Sequence, residues 1–140
     1  MAVADYDGDG RLDLYLLNNG GPRGRPNQLF QQQPDGTFRN VSKGSGLDIS
    51  GHCMGVAIGD VNNDGFADVL VTEFGGVHLF LNNGNGTFTD VTKQAGVGLG
   101  DRVCVAASFA DYDNSGHQSL FVTSTRGGNV LFKNLGNGIF

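Results

Sequence analysis

Tryptophan is absent from this chain, and tyrosine occurs only three times. A surface built to stack sugar rings is therefore disfavoured. Lysine and arginine together number nine and are scattered, and the formal net charge is −5. With no basic stripe, a nucleic-acid partner is not expected. No apolar run approaches the ~20 residues of a membrane-spanning helix, and no signal peptide is visible. There are two cysteines, Cys53 and Cys104, without zinc-ligand spacing. No stretch of ten or more residues shows a helical stripe. Charged residues make up only 16%, against ~25% in an average soluble domain.

Glycine is abundant instead: 24 of 140 residues, where about 7% is usual. Much glycine, few charges and no long polar tract imply many tight turns, hence an all-β chain rather than a disordered one. Hydrophobic residues, at 39%, suffice for one modest core.

The turns recur. "DYDGDGRLD" at 5–13 returns as "DVNNDGFAD" at 60–68 and, degraded, as "DYDNSGHQS" at 111–119. Each loop follows a small apolar run and precedes a β-rich one: "LDLYLL", "ADVLVT" and "SLFVTS". A second apolar run, a turn and an aromatic come next, with Phe38, Phe88 and Phe140 in matching places. The period is near 51, and each period holds about four short strands separated by Asn-Gly, Asp-Gly or Gly-Gly. That is the signature of β-propeller blades, with repeat units at approximately 1–47, 48–97 and 98–140.

The loops suit a hard cation. Residues at the first, third and fifth positions of a tight loop can turn their oxygens to one centre, and the glycine after them permits the sharp turn. A backbone carbonyl at the seventh position and a side chain at the ninth close the shell. An all-oxygen set of six or seven ligands favours Ca²⁺ over Mg²⁺, which keeps more of its water. The first loop offers Asp5, Asp7, Asp9 and Asp13, with the Arg11 carbonyl. The second offers Asp60, Asn62, Asp64 and Asp68. The third offers Asp111, Asp113, Ser115 and Ser119. Carboxylates fall from four to three to two, so affinity is expected to fall in that order, and the third site to be empty at ordinary calcium levels. Nine of the 14 acidic residues lie in these loops. A helical calcium hand would need a glutamate at the twelfth position. Leu16, Val71 and Val122 stand there and are expected to be buried strand residues. Asp, Asn and Gly also favour plain turns without any metal.

The combined pattern, "DVNNDGFADVLV" followed by "NNGNGTFTDVT", resembles the FG-GAP-like, VCBS-type repeats. It is similar to those of the cartilage acidic protein group and, more distantly, of the integrin α-subunit propeller. The resemblance implies a β-propeller, commonly of seven blades, acting as an extracellular, often calcium-stabilised scaffold for adhesion or recognition. It implies a protein or cell-surface ligand and a secreted or cell-surface location, periplasmic if the source is bacterial. The loop aspartates could serve as acid and base, but their spacing suits one cation and a bound cation leaves no free base, so enzyme activity is not expected. The ligands carried over are the loop residues named above, with Arg11, Phe66 and His117 giving backbone carbonyls. Ser115 and Ser119 depart from the family's aspartates, and the Gly-Ala-Pro of the integrin type is absent. Three repeats are fewer than a closed propeller has, and the chain falls 13 residues short of three full periods. It is expected to be one segment of a larger propeller, with self-association through exposed blade edges. A glycan-binding module attached to a polysaccharide-active enzyme is the alternative.

Cys53 and Cys104 hold one position in adjacent repeats and are expected to be buried free thiols. His52, His78 and His117 share no spacing with a nucleophile and are expected to be ordinary loop or strand residues. "NVS" at 40–42 and "NGT" at 85–87 fit the N-glycosylation pattern, but the second is also a plain hairpin turn.

Overall fold

A computed structural model describes residues 1–140 as three antiparallel sheets. The first is a meander of β1 (Ala2–Ala4), β2 (Asp13–Leu16), β3 (Gln28–Gln32) and β4 (Phe38–Asn40). The second repeats it with β5 (Cys53–Gly59), β6 (Asp68–Glu73), β7 (Gly76–Asn82) and β8 (Phe88–Asp90). One helical turn, α1 (Thr92–Ala95), follows. The third sheet has β9 (Val103–Ala110), β10 (Ser119–Arg126) and β11 (Val130–Phe132). It has three strands, not the four expected of each repeat. Phe140 stands where Phe38 and Phe88 begin a fourth strand, but its N–H donates to the Ala95 carbonyl at 3.0 Å instead.

Strand register shows which residues share a face, because directly paired residues point the same way. In the first sheet Val3, Leu14 and Phe30 are aligned on one face, here the front, and Ala2, Tyr15 and Leu29 on the back. The second sheet carries Ile58, Val69 and Phe80 in front and Ala57, Leu70 and Leu79 behind. The third carries Phe109, Leu120 and Phe132 in front and Ser108, Phe121 and Leu131 behind.

Each back face packs on the next front face. Tyr15 and Leu29 join Val69, Val71 and Phe80 in one apolar cluster. Leu70 and Leu79 join Leu120 and Val122 in another. The middle strand β6, "DVLVTE", is therefore buried on both sides, whereas β2 alternates between buried and half-buried. That placement corrects one expectation: Leu16 is only half-buried, because the front face of the first sheet has no neighbour. Cys53 and Cys104 are buried free thiols.

Candidate metal centre

The three loops adopt one conformation. Their fourth residues, Gly8, Asn63 and Asn114, have φ of 77°, 58° and 55°, and their sixth, Gly10, Gly65 and Gly116, 84°, 89° and 82°. Glycine or asparagine is needed at both places, since other side chains resist the left-handed region.

The first residue of each loop builds that turn. Asp5 accepts the N–H groups of Gly8 (2.9 Å), Asp9 (3.1 Å) and Gly10 (2.8 Å). Asp60 accepts those of Asp64 (3.0 Å) and Gly65 (2.9 Å), and Asp111 those of Ser115 (2.9 Å) and Gly116 (2.8 Å). The ninth residue is buried and ties the loop to the third strand of its sheet or, in the third sheet, to the chain just past that strand. Asp13 accepts from Tyr6 N–H (3.1 Å) and Gln32 N–H (2.9 Å). Asp68 accepts from Val61 N–H (2.8 Å) and Asn82 N–H (2.9 Å), and the Ser119 hydroxyl from Asn134 N–H (3.1 Å). Burial raises the Asp13 pKa, opposed by these two hydrogen bonds and helped by the Asp7 and Asp9 charges. The same burial lifts Asp68 to about 6.

The loops differ in what converges. Asp5, Asp7 and Asp13 bring carboxylate oxygens within 4.8 Å of one another, a spacing that could hold a metal ion. The donors are all oxygen, as a hard cation requires. Asp9 stands aside, paired with the Arg11 guanidinium and accepting the Arg11 N–H at 2.9 Å. In the second loop Asn62 donates its amide to Asp64 (2.8 Å), and Asp64 accepts the Phe66 N–H (2.9 Å). In the third, Lys133 lies 2.8 Å from Asp113 and, by that hydrogen bond above all, lowers its pKa to about 2. His117 donates its N–H weakly to the Ser115 hydroxyl, and its ring meets the Asn63 amide at 3.1 Å. His78 lies between Glu73 and Asp90, at 2.9 and 3.4 Å.

Several residues of the site are not evident from the loop motif. The Gln31 amide donates to Asp7 and accepts from Arg39, so the third strand orients one carboxylate of the cluster. A cleft of ≈270 Å³ opens beside the cluster between the first and second sheets, with Asp7 and Asp13 in one wall and Arg39 and Lys43 also lining it. Beneath it, the buried Tyr6 hydroxyl has no hydrogen-bond partner.

Across the sheet junctions, Asn82 Nδ2 donates to the carbonyls of Tyr6 (3.0 Å) and Ala67 (3.1 Å). Asn134 Nδ2 does the same to Val61 (2.8 Å) and Gln118 (2.9 Å). Asn82 ends its strand, Asn134 lies two residues past its strand, and each precedes a glycine by two residues, a recurring signal in "NNGNG" and "NLGNG".

The FG-GAP-like repeat family matches residues 5–71 and again 60–122, each match running from one aspartate loop into the strand after the next. The chain is similar to cartilage acidic protein 1 of Xenopus tropicalis, 33% identical over 127 residues, covering 86% of this chain and 18% of that protein. It is 26% identical to the Mus musculus protein of that name over 141 residues, covering 94% and 22%. The chain thus spans about a fifth of the length of the curated relatives it matches.

Proposed function

From a chain that belongs to the FG-GAP-like repeat family, we propose a calcium-binding β-propeller segment that serves as a scaffold for extracellular protein or cell-surface recognition. The observation that carries it is the convergence of Asp5, Asp7 and Asp13 on one point. Each sheet is one blade, in repeat units at approximately 1–47, 48–97 and 98–140. The ions act structurally. Each removes the repulsion among carboxylates and pins the loop between the first two strands of its blade. The second loop binds more weakly, through Asp60, Asn62, Asp64 and Asp68, and the third most weakly, because Lys133 competes for Asp113. Arg11, Phe66 and His117 supply backbone carbonyls. The recognition surface lies outside the stacked faces, and the chain itself is not an enzyme.

Thermal unfolding followed by circular dichroism tests this, in calcium and in metal-free buffer. A large rise in melting temperature with calcium is expected, together with calorimetric binding. The proposal is overturned by equal melting temperatures and no binding heat at millimolar calcium.

A further inference from the structure

Gln31, Leu81 and Lys133 hold one place in their three sheets. Each directly follows a phenylalanine, Phe30, Phe80 or Phe132, that pairs with the residue after the loop, Leu14, Val69 or Leu120. The ninth loop residues accept the N–H one place further on in each, from Gln32, Asn82 and Asn134. The third loop residues, Asp7, Asn62 and Asp113, meet three different things from this place. Gln31 donates its side-chain amide to Asp7. Lys133 brings its ammonium within 2.8 Å of Asp113. Leu81 has no polar group, and Asn62 turns its amide to Asp64 within its own loop instead (2.8 Å).

The Gln31 amide is fixed in this sense, because its oxygen already accepts from Arg39 and Gln33, which leaves its NH₂ for the carboxylate. Gln31 also lines the cleft between the first and second sheets, so the reach from this place to the loop is made with a neighbouring sheet in position. The two polar side chains act oppositely on a cation. A neutral amide orients Asp7 and leaves its negative charge for an ion. An ammonium is itself a full positive charge and repels a metal at the same carboxylate. The formal charges follow this division. Asp5, Asp7, Asp9 and Asp13 with Arg11 leave the first loop at −3, and Asp60, Asp64 and Asp68 leave the second at −3. Asp111 and Asp113 with Lys133 leave the third at −1, the charge that either other loop would reach with one divalent ion. The third loop nevertheless keeps the shared turn, with Asn114 and Gly116 in the left-handed region.

We propose that this one place sets how each loop is neutralised: Gln31 positions Asp7 for a calcium ion, and Lys133 takes the ion's place in the third loop, which therefore closes without metal. The role of Gln31 rests on the calcium binding proposed above for the first loop. The role of Lys133 in holding its loop does not, since the ammonium acts in metal-free solution. Leu81 leaves the second loop between these cases, with no charge supplied and no carboxylate oriented from the strand.

Melting temperatures of the whole chain in excess chelator and at about 10 mM calcium, above the 10⁻⁴–10⁻³ M dissociation constants of weak oxygen sites, test it. The Lys133 side chain is 56% exposed, so its exchange leaves the core intact. Lys133→Gln should melt lower in chelator by about 2–4 °C, as the loss of an exposed ion pair allows. It should also show a larger calcium-induced rise than the native chain, and the gain should vanish when Asp113→Ala is added. Lys133→Arg, which keeps a cation, should match the native chain in both buffers. Gln31→Leu, which copies the second sheet, should lose part of the native calcium-induced rise with little change in chelator. A native chain with no calcium-induced rise refutes calcium binding by the first loop, and the role of Gln31 with it. A native chain that responds to calcium, beside a Lys133→Gln variant with no drop in chelator or no gained response, overturns the role of Lys133 alone. An undiminished calcium-induced rise in Gln31→Leu overturns the role of Gln31.

Discussion

The side-chain amide of Asn82 donates to the backbone carbonyl of Tyr6 at 3.0 Å, across 76 residues of chain. It ties the aspartate loop of the first sheet to the third strand of the second. Asn82 is buried, also donates to Ala67 and accepts the Gly84 N–H at 2.9 Å. Asn82→Ala should cost roughly 1–3 kcal/mol, since it strands buried polar groups that water cannot reach. Asn82→Asp should cost more, because it loses both donors and buries a charge near Asp68. Denaturant midpoints at fixed calcium measure this, and an unchanged midpoint for Asn82→Ala would remove the clamp from the account.

Calcium dependence should follow the carboxylate count that each loop brings together. Asp7→Ala takes one of three converging carboxylates from the first loop. Asp111→Ala removes half the carboxylates of a loop whose other one is held by Lys133. The calcium-induced rise in melting temperature should therefore shrink markedly in Asp7→Ala and hardly at all in Asp111→Ala. The reverse order would show that convergence in the first loop is not what holds the ion.

The all-β class, the three sheets and the loops are legible in the sequence because turn chemistry and two-residue alternation are local. Gly10, Gly65 and Gly116 mark the same bend three times. Burial of Asp13 and Asp68 is not legible, since a strand-leading aspartate looks alike whether it faces water or braces a backbone. Nor is the pairing of Asp9 with Arg11, which removes one of four apparent ligands from the cluster. Leu16, Val71 and Val122 look equivalent in sequence. They differ in burial because only the last two have a sheet in front of them.

Equivalent leucine and phenylalanine positions should respond differently to truncation. Leu70 on β6 is fully buried between the second and third sheets. Leu70→Ala should cost about 2–5 kcal/mol through lost transfer and a residual cavity. Phe121 holds the same register on β10 but is exposed, so Phe121→Ala should cost less than about 1 kcal/mol when measured at low micromolar concentration. Chemical denaturation of the two variants decides it, and equal losses would mean that the back face of the third sheet is covered even in dilute solution.

Without metal, the chain should lose stability as the pH rises from about 4 to 6. Asp68 has its pKa raised by burial from 3.8 to about 6 in the folded chain, so across that window the folded state holds a proton that the unfolded state has released. Stability falls with pH wherever the folded state binds more protons. At ~1.4 kcal/mol per unit, the loss from this group is at most about 3 kcal/mol. Asp13 shifts the same way. Asp113, lowered to about 2, loses its stabilising effect only as the pH drops below the window. Calcium should reverse the slope, because it binds the ionised carboxylates and must displace those protons. Melting temperatures of the metal-free chain and of Asp68→Asn at matched pH isolate the effect. The slope should flatten in the variant, and an equally steep slope there would assign the pH response to other groups.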